Sequence, residues 1–166
     1  YETVKLNYGV DYYAGGNCYF YPVPDTWNKM VDIMLFWAGK GVDAFRCDMA
    51  EMVPSAFWAW ATAKVKDAYP HIIFIGEVYN PALYRTYIAS GFDFLYDKVG
   101  MYDTLRAVTC FHTSANEITA AWQANDDISS HMLYFLENHD EQRIASDFFA
   151  ADAIKGIPAL GVSLLM

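Results

Sequence analysis

Three apolar runs in this sequence end on acidic residues. The first closes as Ala44-Phe45-Arg46-Cys47-Asp48, the second as Ile75-Gly76-Glu77 and the third as Leu136-Glu137-Asn138-His139-Asp140. A carboxyl group can serve as a nucleophile when ionised and as a proton donor when neutral, and its surroundings decide which. Arg46, two residues before Asp48, favours the ionised form of that carboxylate. Glu77 stands in an apolar, Tyr-rich stretch, where desolvation would favour the neutral, proton-donating form. Two carboxyl groups in unlike environments are the working parts of glycosidic bond cleavage.

Each acid alone also has a structural reading. Asp48 could cap a helix before Met49-Ala50, Glu77 could be a loop residue, and Asp140 could cap a final helix. Three acids at three run ends, with Arg46 and His139 interleaved, favour chemistry over coincidence. A shared metal is disfavoured, because no second His stands near and Arg46 would oppose a cation. Tyr79 and Tyr84, just past Glu77, offer aromatic faces for stacking on a sugar ring. Trp58 and Trp60 read as core and helix-shell residues, and His71 as structural.

The elements that must position these residues alternate. From Asp25, an N-cap candidate, Trp27, Met30, Val31, Met34, Leu35 and Ala38 follow the spacing of one helix face, ending at Gly39 and Gly41. A strand is expected over Val42 to Cys47, a helix from Pro54-Ser55 to Pro70, and a strand covered on both faces over His71 to Gly76. A helix from Pro81 to Ser90 and a strand from Phe92 to Tyr96 come next. A longer connection contains Ser114-x-x-Glu117, a capping-box pattern. Met132 to Leu136 reads as the fourth strand, with helical pattern from Glu141 to the end. Strands alternating with helices imply parallel pairing. Starts near 42, 72, 92 and 132 lie 30 residues apart on average, close to the unit of a (β/α)8 barrel, in which about 250 residues form eight units. No Gly-x-Gly-x-x-Gly follows a strand, so a doubly wound sheet is the weaker alternative. The expected fold is α/β, a partial (β/α)8 TIM barrel of about four parallel βα units. In parallel barrels the C-terminal strand ends share one rim, where an active site needs its acids. Period-two geometry puts Arg46 and Asp48 on one side of their strand and Phe45 and Cys47 on the other.

Composition narrows the partners. The 166 residues include 11 Lys+Arg and 20 Asp+Glu, a net charge of −9, with 55% hydrophobic residues. Disorder is excluded, and an acidic chain without a basic cluster favours neither nucleic acid nor an anionic membrane surface. The longest uncharged apolar run, Gly156 to Met166, falls short of the ~20 residues that span a bilayer. Cys18, Cys47 and Cys110 form no CxxC pair and read as buried small hydrophobes. Residues 1–24, rich in Tyr and Gly, read as an irregular leading segment from an upstream domain, with barrel from 25 to 166. The chain begins at Tyr1 and stops at Met166 inside a helix-face pattern, so a piece of a longer protein is expected.

Gly41-Val42-Asp43-Ala44-Phe45-Arg46-Cys47-Asp48, Gly76-Glu77-Val78 and Phe135-Leu136-Glu137-Asn138-His139-Asp140 resemble three conserved regions of the α-amylase family of glycoside hydrolases, in the family's order. Lys5-Leu6-Asn7-Tyr8 resembles the segment leading from that family's inserted domain back into its barrel. The resemblance implies that the strands are the fourth to seventh of the barrel. It also implies Asp48 as nucleophile, Glu77 as general acid/base and Asp140 as the acid that grips the distorted sugar. Arg46 would orient Asp48, and His139 would bind sugar hydroxyls. The implied activity is retaining hydrolysis of an α-glucan, starch or maltooligosaccharide, with no cofactor needed for chemistry and with a structural calcium allowed in the full-length protein. Glu51 and Met52 stand where many members carry Lys-His, and Glu137 replaces a frequent Asp. Transglycosylation or isomerisation is therefore an alternative. A non-catalytic binding subunit is another, although such domains usually lose one of the three acids. Exposed strand edges of an incomplete barrel would favour self-association.

Overall fold

The computed structural model describes residues 5–166, and the first four residues of the leading segment lie outside the described residues. The chain forms two compact units, one of residues up to Glu77 together with Arg85–Asp93, the other of Val78–Tyr84 together with Phe94–Met166.

In the first unit the leading segment contains a small antiparallel hairpin, β1 (Val10–Asp11) and β2 (Asn17–Cys18). Asp11 Oδ1 accepts from the Tyr13 and Ala14 amides at 3.0 Å each, tying the turn. Helix α1 (Asp25–Ala38) buries Trp27, Val31, Met34 and Ala38, the expected face. Asp25 does not cap it. Pro24, with ψ 139°, holds the cap position, and Asp25 sits in the first turn, paired with Lys29 at 2.6 Å.

Strand β3 (Ala44–Cys47), helix α2 (Ser55–Ala68) and strand β4 (Ile73–Gly76) form a βαβ sequence, and the two strands pair in parallel from Ala44↔Ile73 to Cys47↔Gly76. Phe57 of α2 is fully buried, its ring 4.9 Å from Tyr8, 5.5 Å from Trp27 and 5.1 Å from Trp58. Burial alternates into strand β4: Ile72, just before it, and Phe74 are buried, whereas Ile73 is exposed and Ile75 half-buried, so only one of its faces is fully covered. Asp93 closes this unit's core, accepting from the Phe74 amide at 2.7 Å and pairing with Lys66 at 2.8 Å. Helix α3 (Tyr84–Ala89) follows a 3-10 turn at Pro81–Leu83.

The second unit holds strand β5 (Phe94–Tyr96), a π-helical turn (Lys98–Tyr102), helices α4 (Asp103–Phe111) and α5 (Asn116–Gln123), strand β6 (Met132–Leu133) and helix α6 (Ala153–Leu165). Strands β5 and β6 are parallel, Leu95 opposite Met132. Both units are thus α/β with parallel strands, the architecture expected of part of a (β/α)8 barrel. A core of Met101, Tyr102, Leu105, Leu136, Phe149, Ala150 and Ala159 fills the second unit. Helix α4 differs from the expected irregular connection, and Leu105 is its one fully buried residue. Ser114 does not close a capping box: its Oγ accepts from the Asn116 amide at 3.3 Å and its carbonyl from the Glu117 amide at 3.1 Å, and Ala115 holds the cap position of α5.

The expected helix from Glu141 begins instead at Ala153, where the Asp152 side chain accepts from the Ile154 amide at 2.7 Å. Residues 137–151 are a loop because side chains claim their backbone groups first. Glu137 Oε1 accepts from the Ile144 amide at 2.7 Å and Oε2 from Arg143 Nη1 at 2.5 Å. The Ile144 amide and then the Arg143 guanidinium hold the Glu137 carboxyl below the ordinary glutamate range. On the outer side of α6, Ile154, Ile157, Leu160 and Leu164 are exposed.

Two outcomes follow. Phe57→Ala should lower unfolding stability by about 3–5 kcal/mol, read as a drop in the urea midpoint at unchanged slope. Because the folded value of Glu137 lies below its unfolded one, its contribution is present above the ordinary glutamate range and lost as pH falls through the folded value. The stability gap between wild type and Glu137→Gln should therefore be level at neutral pH and close on acidification, as followed by urea melts across pH.

Candidate active site

The end of β3 and the end of β4 are laced together by backbone before any side chain acts. The Glu77 amide donates to the Cys47 carbonyl at 3.0 Å, and the Ala50 amide to the Glu77 carbonyl at 2.8 Å. Between these bonds the chain turns sharply at Met49, whose φ of 40° is left-handed, a conformation that costs a non-glycine residue about 1 kcal/mol or more. That turn aims the Met49 amide at Glu77 Oε2, 3.0 Å away. Two further anchors fix the segment after it. Trp58 Nε1 donates to the Ala50 carbonyl at 3.0 Å, and Tyr87 Oη lies 3.1 Å from the Glu51 carbonyl and 2.9 Å from that of Val53.

On this frame the guanidinium of Arg46 reaches both acids. Nη1 bonds Asp48 Oδ1, and Nη2 lies 3.0 Å from Glu77 Oε1. The two carboxylates differ sharply in setting, since the Asp48 side chain is 73% exposed and that of Glu77 only 4%. Asp48 caps no helix, because α2 begins at Ser55 after Pro54. The near surround of Glu77 is a cation and an amide, in place of the apolar pocket that the sequence suggests. Behind Asp48, burial pushes the Cys47 thiol up to about 12, which leaves it a neutral packing group. Cys18 is exposed and Cys47 and Cys110 are half-buried, against the expectation of three buried cysteines.

In the second unit the segment after β6 carries the other residues. Asn138 Oδ1 accepts from the Asp140 and Glu141 amides at 2.9 and 2.8 Å, an Asx turn. His139 Nε2 lies 3.3 Å from Asp140 Oδ2, and both side chains are exposed. Asp140 therefore caps no helix. Tyr79 is half-buried. Tyr84 is fully buried, with its hydroxyl 3.4 Å from Asp97 Oδ1, so it presents no face to a sugar.

The structure brings Arg46, Asp48 and Glu77 together in the first unit and His139 and Asp140 together in the second. Sequence reasoning missed Met49, Tyr87 and Asn138, which act through backbone groups; only Asn138, two residues before an Asp, carried a turn signal. Among the described residues no three His, Cys, Asp or Glu side chains gather as a metal site. Among them, too, no helix is long and apolar enough to cross a membrane.

Comparison with known proteins gives a consistent picture. The family model for the alpha amylase catalytic domain matches residues 19–164. An alpha-1,4-glucan:maltose-1-phosphate maltosyltransferase of Cereibacter sphaeroides is 37% identical over 66 residues, 39% of this chain and 11% of that protein. A noncanonic maltogenic alpha-amylase from Thermotoga neapolitana has a TM-score of 0.61 at 29% identity, covering 78% of this chain and 30% of the other. The debranching enzyme of Nostoc punctiforme reaches a TM-score of 0.73 at 18% identity over 92% of this chain and 36% of its own, a likeness of fold. The chain thus spans about a tenth of that curated relative's length and about a third of those solved structures. With the family match running over nearly its whole length and the three strand-end motifs inside it, this chain belongs to the alpha-amylase family.

Proposed function

We propose that the chain carries the catalytic acids of a retaining α-glucan hydrolase. The observation that supports this most directly is the Arg46 fork, one guanidinium on an exposed Asp48 and a buried Glu77. In the first step Glu77 gives its proton to the glycosidic oxygen while the Asp48 carboxylate attacks the anomeric carbon. The C–O bond breaks, the leaving sugar departs as an alcohol, and a glycosyl ester on Asp48 remains. In the second step Glu77, now a carboxylate, takes a proton from water, whose oxygen attacks the same carbon and frees Asp48. Family resemblance gives Asp140 the task of gripping the distorted ring and His139 that of binding sugar hydroxyls beside it. Tyr79 offers a stacking face. No cofactor enters this scheme.

A second reading, transfer to another sugar in place of water, is supported by two observations. Glu51 and Met52 depart from the family's frequent Lys-His, and the curated relative that matches over 66 residues is named as a maltosyltransferase. With a glucan donor the first step is identical and only the acceptor differs; with a sugar 1-phosphate donor, phosphate leaves in place of the alcohol.

Asp48→Asn and Glu77→Gln should each lower turnover of maltooligosaccharides by about 10³-fold or more, with folding unchanged by circular dichroism. Full activity in either variant would remove the assignment, and a wild type that binds maltooligosaccharide without turning it over would favour a binding subunit. Chromatography of the products, with and without maltose 1-phosphate, separates hydrolysis (shorter sugars only) from transfer (longer sugars as well).

A further inference from the structure

The loop that carries His139 and Asp140 is gripped by side chains with no part in the reaction above. Glu141 directly follows Asp140, and its two carboxylate oxygens have separate partners. Oε2 accepts from Tyr102 Oη at 2.8 Å, and Oε1 lies 3.3 Å from Lys98 Nζ. Both partners belong to the π-helical turn after β5, a rare feature that gathers at functional sites.

That turn is firmly built. Asp97 Oδ1 accepts from the Gly100 amide at 3.0 Å. The Tyr102 ring is buried and stacked on Phe135, with centroids 5.1 Å apart and planes 12° apart. Lys98 also pairs with Asp103 at 2.8 Å. The Lys98 and Glu141 side chains are only 18% and 12% exposed, so solvent and salt screen their attraction weakly. From within the loop, Asn138 holds the amides of Asp140 and Glu141. The peptide unit between these two residues is therefore fixed from both sides, while the Asp140 carboxylate stays outside the clamp.

We propose that Glu141, held by Lys98 and Tyr102, is a positioning residue that fixes the backbone at Asp140 and so the aim of its carboxylate. This rests on the reading of Asp140 as the acid that grips the distorted sugar. Such an acid acts more on the transition state than on bound substrate, so mis-aiming it lowers kcat and spares KM. A displacement of about 1 Å is enough for roughly a 10²-fold loss.

The test compares Glu141→Ala and Tyr102→Phe with Glu141→Gln, which keeps an acceptor for Tyr102. Amide hydrogen exchange over residues 138–144 and steady-state turnover of maltooligosaccharide are measured on the full chain. Exchange there should quicken about ten-fold or more in Glu141→Ala and Tyr102→Phe. Their kcat should fall about 10- to 100-fold with KM within about two-fold, and Glu141→Gln should recover most of both. Tyr102→Phe keeps the ring stack and decides the matter if Glu141→Ala fails to fold. Unchanged exchange in these variants overturns the clamp whether or not the wild type turns over glucan. Lost protection with unchanged kcat overturns its effect on Asp140. A wild type that is inert on glucan, although its protection depends on Glu141, overturns the catalytic reading itself and with it the purpose of the clamp.

Discussion

The ends of β3 and β4 meet through the guanidinium of Arg46, and the site in the first unit depends on that contact. Its two arms differ in weight. The arm to Asp48 is open to water, where an ion pair contributes about 0–1 kcal/mol. The arm to Glu77 reaches a carboxylate with 4% of its side chain exposed. Removing one partner of such a pair leaves an uncompensated charge, at a cost of about 3 kcal/mol or more. Arg46 is therefore a structural tie for Glu77 and an orienting partner for Asp48. The parallel register of Arg46 with Ile75 brings the two ends level, and the left-handed Met49 turn completes the surround.

Much of this was legible in the sequence wherever burial and period coincide. Helices α1 and α2 repeat apolar residues on one face, and β3 and β4 are short apolar runs bounded by turns, so their types could be read directly. The pairing of Arg46 with Asp48 followed from the two-residue period of a strand. Its reach to Glu77 did not, because cross-strand neighbours depend on register. The Glu137 clasp was equally hidden, since a side chain competing for backbone amides leaves no periodic trace, and the Asx turn at Asn138 left only a local composition signal. Apolar spacing after Glu141 therefore suggested a helix some twelve residues too early.

The second unit holds the loop that carries His139 and Asp140 by different means. In the first unit, strand ends carry the acids and backbone bonds between parallel strands set their spacing. In the second, β6 is only two residues long, and the segment beyond it takes its shape from Asn138, Glu137 and the π-helical turn. One acid pair stands on a ladder, and the other residues stand on a loop held by polar side chains. A loop of this kind tolerates sequence change at solvent-facing positions and little at the residues whose side chains replace the ladder.

The forked contact of Arg46 also bears on charge through the proposed reaction. In the form that begins the first step, Glu77 carries the proton to be given, and the fork faces one anion, Asp48. Once the ester forms, Asp48 is neutral and Glu77, having given up its proton, is the anion. The sum over the three groups is zero in both states. The negative charge passes from one arm of a stationary cation to the other, so neither step needs a counter-ion to enter or leave, and the same guanidinium serves the attack and the release in turn.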